Sequence, residues 1–428
     1  MRSSSCDRRA VFSWCLYDFA NSPFTTLVVT FIYATYFIKA FAADENMGTV
    51  LWSRGVTITA LASAMLSPFL GAIADRGGFR KAFLFFFTAV AAGGSAMLYT
   101  IMPGRTSAAL FWFVTANIAF EMGEVFYNAF LPDIAPPEKI GRISGYGWAM
   151  GYMGGLMALL IAFAGFVQPS VPWFGFSKEL GENIRATNLL VAVWYALFCI
   201  PIFLWVKEDR SRACSGGEKI LASSVKQLIE TFHEIRRYRQ IVRLLAARLF
   251  YNDGLITIFA FSGIYAKGTF HFADSELLIL AICLNIAAGL GAYAMGFWDD
   301  RLGGKRTVLI SLAGLTLAVI FAVAAQGKAM LWIGGLLAGI FSGPNQSASR
   351  SLMGRFVPTD KENEFFGFFA FSGKATAFLG PFLFGVLTQT FASQRAGVAA
   401  IIVFFIIGAC LLAKVDEAEG LRCAGRSA

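Results

Sequence analysis

Apolar residues occupy this chain in long blocks that are separated by short turns rich in glycine and charged residues. A helix needs about 20 mostly apolar residues to cross a bilayer. Blocks of this length lie at 11–38, 51–74, 82–103, 107–131, 143–167, 186–206, 241–266, 276–298, 306–326, 329–353, 364–391 and 395–414. The pattern therefore predicts an all-α integral membrane protein with twelve transmembrane helices.

The composition also indicates a chain that lies in a membrane. Hydrophobic residues make up 57% of the 428 positions and charged residues only 15%, which is more apolar surface than a soluble domain of this size can bury. The blocks divide as six plus six around one longer polar stretch. We expect an N-terminal bundle at 1–206, a cytoplasmic linker at 207–240 and a C-terminal bundle at 241–428.

One short motif occurs twice, once in each predicted bundle. Each copy has a glycine four residues before an Asp-Arg pair and another glycine two residues after the pair. A weaker echo relates Pro132-Asp133 to Pro358-Thr359-Asp360. The repeat predicts two pseudo-symmetric halves. Its residues are Gly71, Asp75, Arg76 and Gly78 in the first copy, and Gly296, Asp300, Arg301 and Gly303 in the second.

Basic residues predict the orientation. If the N-terminus is cytoplasmic, most Lys and Arg residues fall in inner loops, as the positive-inside rule requires. Both termini are then cytoplasmic, and Cys214 and Cys423 lie on that side. The net charge of +9 is explained by anionic lipid headgroups, so no nucleic-acid partner is needed.

Several features are expected to be absent. Residues Met1 to Arg9 lack the pattern of a cleaved signal peptide. The seven Cys residues fall in spans or cytoplasmic segments, which disfavours disulfides, and the two His residues lie in different loops. We expect no metal site and no cofactor.

The linker has the pattern of an amphipathic helix. Apolar residues at Leu221, Val225, Leu228, Phe232 and Ile235 recur at helical spacing. They are accompanied by basic residues such as Lys219 and Lys226. This pattern favours a helix on the inner leaflet, and the alternative is a docking site for a regulatory partner.

Charged and polar residues inside the spans are the candidates for function, because a bilayer makes them costly. They recur at helical spacing on single faces of spans 1, 4, 7 and 10, with one lysine near the middle of span 11. The set is Asp18 and Asn21; Asn117, Glu121, Glu124 and Asn128; Arg248, Asn252 and Asp253; Asn345, Gln346 and Arg350; and Lys374. The alternative for each charge is a salt bridge that only fixes helix packing.

Spans 1, 4, 7 and 10 are the first helices of four successive trios. If each half is an inverted repeat of three plus three helices, these spans occupy equivalent positions. We therefore expect their polar faces to share one cavity between the halves. Glycines at four-residue spacing in spans 5 (Gly147, Gly151, Gly155) and 10 (Gly335, Gly339, Gly343) predict close helix contacts.

The paired motif loops resemble the signature of the major facilitator superfamily. More narrowly, the chain resembles the autophagy-type vacuole effluxer branch, in segments that surround candidate polar residues. These segments are Tyr17-Asp18-Phe19-Ala20-Asn21-Ser22, Tyr127-Asn128-Ala129-Phe130-Leu131-Pro132, Ser144-Gly145 through Gly151-Tyr152, Tyr251-Asn252-Asp253-Gly254, Ser349-Arg350-Ser351 and Glu364-Phe365-Phe366-Gly367.

The resemblance implies a twelve-helix secondary transporter that works by alternating access, with relatives linked to amino-acid release from the vacuole. It also implies that Asp75, Arg76, Asp300 and Arg301 latch the cytoplasmic side. Phe79 and Gly304 stand where a basic residue is common, so we expect one latch contact to be absent. The short central loop suits a bacterial inner-membrane member.

Three functional classes follow from these residues. A secondary transporter is favoured, because the spans carry charges and no ATP-binding Gly-rich loop is present. An enzyme is disfavoured, since no catalytic set converges, and a non-transporting scaffold or sensor is the third class. Charges of both signs favour a small polar zwitterion, such as an amino acid, as the substrate. Carboxylates inside spans favour proton coupling with Glu121 or Asp253 as the carrier, the resemblance implies export, and we expect a monomer. The alternative is a multidrug or organic-ion exporter.

Overall fold

The computed structural model describes residues 7–208, 220–234 and 236–425. Within these ranges the chain consists of helices and turns, without a β-strand. We number as α1 to α12 the helical segments that correspond to the predicted spans. We call residues 8–205 the first half and residues 239–425 the second half.

The first half contains six segments in succession. They are α1 Arg8–Ala40, α2 Glu45–Gly77, α3 Arg80–Thr100, α4 Thr106–Ile134, α5 Pro137–Val167 and α6 Glu179–Trp205. Within α1 the α-helix Arg8–Pro23 gives way to a π-helical stretch at Phe24–Phe31, directly after the proline. The main helix of α5 runs from Ile140 to Ala162.

The second half repeats this order. Its segments are α7 Arg239–Phe270, α8 Asp274–Leu302, α9 Gly304–Ala324, α10 Lys328–Phe356, α11 Glu362–Thr390 and α12 Gln394–Ala413, followed by a tail helix at Glu417–Cys423. Segment α11 is discontinuous, since one helix ends at Lys374 and the next begins at Leu379. Gly380-Pro381 therefore lies in the first turn of the second piece, where proline is favoured.

Eleven helices in the described residues are long and apolar enough to cross a membrane. Segment α10 lies outside this group, although its 29 residues give it sufficient length. Its second half carries Asn345, Gln346 and Arg350, which lower its hydropathy. Every predicted span has a helical counterpart, but a count of twelve membrane-crossing helices is not confirmed, and the predicted domain boundaries stay predictions.

The two halves pack through few pairs of segments. Segment α2 packs against α11, and α5 packs against α8 and α10. We call the end of the molecule that carries residues 71–81 and 296–306 the motif end. At this end, residues in the stretch 67–75 of α2 and in the stretch 141–144 of α5 form hydrogen bonds with residues of the second half. The structure is therefore closed at the motif end.

The linker forms the predicted helix, at Ile220–His233, but it contacts the protein through a polar face. Gln227 donates a 2.5 Å hydrogen bond to Glu364 at the start of α11, and Ser224 and Thr231 are also buried. Val225 is 43% exposed, which is compatible with a lipid-facing side. The side chains of Leu221 and Phe232, and residues Lys219 and Ile235, lie outside the described part of the structure.

Candidate functional site

The aspartates of the two motifs occupy equivalent positions in the two halves. Asp75 accepts hydrogen bonds from the backbone N–H and the side-chain amide of Asn363, at 3.1 and 2.6 Å, and from the N–H of Glu364 at 2.8 Å. These donors lie in the first turn of α11. A carboxylate at a helix N-terminus satisfies free N–H groups and complements the helix dipole. Asp75 thus caps a helix that belongs to the other half.

Asp300 makes the reciprocal contact. It accepts hydrogen bonds from the N–H groups of Gly141 and Arg142, at 2.8 and 3.2 Å, and forms an ion pair with the Arg142 side chain. These donors lie in the first turn of the main helix of α5. The motif end is therefore held by two crossed caps, one from each half, which we call the latch.

The motif glycines allow this approach. A Cβ on Gly71 would lie 2.3 Å from the carbonyl oxygen of Asn363, and one on Gly296 would lie 2.9 Å from the Cα of Arg142. Gly78 and Gly303 have positive φ angles, 62° and 89°, which glycine adopts without strain. The motif arginines are less central, since Arg76 is half-buried and Arg301 is exposed.

An ion cluster beside the latch was missed in the sequence. Arg80 pairs with Asp133 at 2.7 Å and with Glu362 of the second half at 3.0 Å. The basic doublet after the first motif and the Pro132-Asp133 echo were visible, but nothing in the sequence pairs them with Glu362. In the second half Arg355 bonds to Asp299 at 2.6 Å.

Segments that follow α6 and α12 support the motif loops in the same way. Glu208 accepts a hydrogen bond from the N–H of Lys81 at the start of α3. Glu417, in the tail helix, accepts hydrogen bonds from the N–H groups of Gly304 and Lys305 at the start of α9. Each half thus closes on its own motif loop through a glutamate, which extends the pseudo-symmetry beyond the repeated motif.

Two predicted charges meet between the halves. The Nζ atom of Lys374 lies 2.7 Å from Oε1 of Glu121. The side chains remain 33% and 17% exposed, respectively, so this pair is accessible. Lys374 is also the last residue before the break in α11, and Asn117 is buried one turn before Glu121 on α4.

A second pair between the halves is almost closed to solvent. Nη1 of Arg350 lies 3.1 Å from both Oδ2 of Asp18 and Oδ1 of Asn128. The side chains of Arg350 and Asp18 are 3% and 10% exposed. Nearby, the amide of Asn21 donates a hydrogen bond to Glu124. Spans 1, 4 and 10 therefore do bring polar residues together, largely as bonded pairs.

The polar residues of α7 serve the break in α11. Nη1 of Arg248 donates to the carbonyl of Phe369 at 2.5 Å, and Asn252 donates to that of Gly373 at 2.9 Å. Beyond the break, Oδ2 of Asp253 accepts a 3.0 Å hydrogen bond from the N–H of Gly380. Arg248 thus lies near the C-terminal end of the first piece, which carries a partial negative charge. Asp253 lies at the N-terminal end of the second piece, which carries a partial positive charge.

The expectation of one shared cavity is met only in part. Arg248, Asn252 and Asp253 contact α11 within the second half, and Asn345 donates to Ser311 of α9, also within that half. Gln346 is half-buried. The residues that join the halves are those of α1 and α4 with Arg350 and Lys374. Sequence spacing shows which residues share a helix face, but not which neighbouring helix that face meets.

The sequence matches the family described as "Vacuole effluxer Atg22 like" over residues 48–425. It is 30% identical to the MFS-type transporter YxiO of Bacillus subtilis (strain 168), over 95% of this chain and 94% of that protein. It is 23% identical to autophagy-related protein 22 of Yarrowia lipolytica, over 81% and 72% of the two chains.

Solved structures agree on the fold. The E. coli fucose:proton symporter FucP has a TM-score of 0.74 and 12% identity, covering 95% of this chain and 98% of its own. The human organic anion transporter MFSD10 has a TM-score of 0.72 and 12% identity, with coverages of 96% and 100%. At such identities the similarity shows the major facilitator fold.

Proposed function

We propose a substrate and a coupling mechanism on the premise that this chain belongs to the Atg22-like vacuole effluxer family, a branch of the major facilitator superfamily. The protein is an integral membrane transporter with the major facilitator fold. Our proposal is that it exports amino acids, or similarly small zwitterions, by proton-coupled alternating access. The accessible pair between Glu121 and Lys374 carries this proposal.

The pair presents both signs of charge at one place between the halves. A zwitterion can exchange the protein's internal ion pair for two new ones, because its ammonium group meets Glu121 and its carboxylate meets Lys374. The cost of separating the two charges is then offset by the substrate itself. A purely anionic substrate would leave Glu121 without a cation, and a lipophilic cation would leave Lys374 without an anion.

Proton coupling needs a carboxylate that changes its charge during the cycle, and Glu121 and Asp253 are the candidates. Glu121 pairs with a lysine of the other half, so its partner changes when the halves move. Asp253 is 2% exposed, and its Oδ1 atom has no hydrogen-bond partner. A buried charge with unsatisfied bonding favours protonation, and release follows when water reaches the group.

Alternating access is supported by the latch. The two caps at Asp75 and Asp300 close the motif end, and both join helices of different halves. Breaking them lets the halves separate there while the opposite end closes. We propose that the motif end and both termini face the cytoplasm of a bacterial inner membrane, and that one chain suffices for transport.

The test is a ligand screen by thermal shift, since a ligand that binds only the folded protein stabilises it by mass action. Neutral amino acids, organic anions, sugars and lipophilic cations are compared on the wild type, Lys374→Ala and Lys328→Ala. Lys328 pairs with Glu276 at 2.6 Å on the exposed surface, so it is the matched control.

We expect amino acids to stabilise the wild type and Lys328→Ala. Lys374→Ala should bind them at least tenfold less tightly. Stabilisation by lipophilic cations alone would contradict the substrate class. Amino-acid binding that is unchanged in Lys374→Ala would contradict the role of this lysine. Unfolding of each variant without ligand is recorded first, so that a general loss of stability is not read as a loss of binding.

A further inference from the structure

The guanidinium group of Arg350 sits in an aromatic enclosure. Its Cζ atom lies 4.7 Å from the ring centre of Trp14, 5.7 Å from that of Tyr127 and 5.5 Å from that of Trp148. Asp18 completes the enclosure with its carboxylate. Aromatic faces combined with a carboxylate form a general binding site for organic cations. We call these four residues the cage.

The cage and its occupant belong to different halves. Trp14 and Asp18 lie on α1, Tyr127 on α4 and Trp148 on α5, whereas Arg350 comes from α10. Arg350 therefore enters a receptor that the first half builds on its own. The Nε1–H group of Trp148 is buried without a hydrogen-bond partner, and Arg350 cannot accept from it because a guanidinium has no acceptor atom.

Glycines of α5 make room for this arrangement. A Cβ on Gly147 would lie 2.6 Å from Oδ2 of Asp18 and 2.8 Å from Nη2 of Arg350. At Gly151 and Gly155 the nearest atoms are the hydroxyl oxygens of Ser22 and Thr26, at 2.8 and 2.6 Å. The glycine stripe thus lies along a row of polar groups that leads from the cage away from the motif end.

Separation of the halves at the motif end withdraws Arg350 from the cage. The carboxylate of Asp18 is then left among aromatic rings without its cation, which is strongly unfavourable. We propose that a cationic group of the substrate replaces Arg350 in the cage when the motif end opens, as a step of the pathway distinct from the pairing of its ammonium group with Glu121. Arg350 thus occupies the cage while the motif end is closed, and a cationic group of the substrate occupies it while the motif end is open. This inference rests on the proposed function, because it assigns one subsite of the same transport pathway.

The first experiment empties the cage. Arg350→Ala is heated with methylguanidinium, and methylurea, which has a similar shape without charge, is the control compound. We expect methylguanidinium to reverse at least half of the decrease in melting temperature that Arg350→Ala causes, and methylurea to reverse none of it. The double variant Asp18→Asn/Arg350→Ala and the variant Arg248→Ala should not respond. Equal recovery in either of these, or none in Arg350→Ala, would overturn the cage as a cation receptor.

The second experiment keeps Arg350 in place. Ser67 is fully buried and donates a hydrogen bond to the carbonyl of Gly367 in the other half, so a Ser67→Cys thiol should react only when the motif end opens. Agmatine, which carries cationic groups without a carboxylate, should raise the labelling rate at least threefold, since it competes with Arg350 for the cage. In the Asp18→Asn background, the ratio of the labelling rates with and without agmatine should stay near one.

An unchanged or lower rate with agmatine would contradict the inference, as would an equal increase in the Asp18→Asn background. A purely structural role of Arg350 predicts no response to the ligand. The two proposals fail differently. If no amino acid binds in the ligand screen, the proposed function is wrong. If amino acids bind but agmatine does not open the motif end, only the cage assignment is wrong.

Discussion

Removal of the Asp300 carboxylate should open the motif end. In Asp300→Ala the N–H groups of Gly141 and Arg142 lose their acceptor at the start of α5, and the side chain of Arg142 loses its ion pair. Arg355 keeps Asp299 as its partner. Arg355 also lies 3.9 Å from Asp300, so this longer pair is lost while its closer pair with Asp299 is retained. The substitution therefore acts mainly on the contact between the halves.

The magnitude follows from these contacts. Loss of a helix cap costs about 0.5–2 kcal/mol. The Arg142 side chain is 32% exposed, so its ion pair adds only about 0–1 kcal/mol. A total of about 0.5–3 kcal/mol changes the ratio of closed to open molecules by roughly 2- to 150-fold. Asp300→Asn retains one acceptor oxygen and should cause a smaller change.

Spin labels report this shift. Glu138 and Asp360 are exposed at the motif end, one in each half, so labels on cysteines at these positions measure the separation by electron paramagnetic resonance. The long-distance population should grow at least about twofold in Asp300→Ala, and similarly in Asp75→Ala. A distribution identical to that of the wild type would refute the latch. An effect in Asp75→Ala alone would refute its pseudo-symmetry.

Three further predictions concern orientation, packing and coupling. Cys423 is exposed and should react with an impermeant thiol reagent only from the cytoplasmic side. Labelling of Cys423 from outside intact cells would contradict the orientation. Cys214 lies outside the described residues. A Cβ on Gly343 would lie 2.1 Å from the Ala288 carbonyl, so Gly343→Ala should lower the free energy of unfolding by about 1–3 kcal/mol. Full uphill transport, driven by a pH gradient, in both Glu121→Gln and Asp253→Asn would disprove their role as carriers.

The helices were predictable from local patterns, whereas the latch was implied by the resemblance that the duplicated motif carries. Apolar blocks of span length determine the segments, and the duplicated motif marks the two aspartates. The pair between Asp18 and Arg350 was not predictable, since the partners are separated by 332 positions and any of several acids could have met that arginine. Spacing along one helix does not identify the facing helix.

The break in α11 and the contact of the linker show the same limit. The capping of the two α11 pieces by Arg248 and Asp253 requires α7 to lie alongside, and no local pattern within α11 indicates that. The amphipathic pattern of the linker predicted a helix, whereas the hydrogen bond from Gln227 to Glu364 depends on the closed motif end. Such contacts depend on the arrangement of the halves, and so on the conformational state.

The most direct test of amino-acid transport through the Glu121–Lys374 site is counterflow in proteoliposomes. Vesicles that contain the purified protein are loaded with unlabelled neutral amino acids and diluted into a trace of the labelled compounds. We expect transient accumulation of label by the wild type and by Lys328→Ala, and little by Lys374→Ala. Folded wild-type protein that exchanges organic anions or lipophilic cations, but no amino acid, would contradict this expectation.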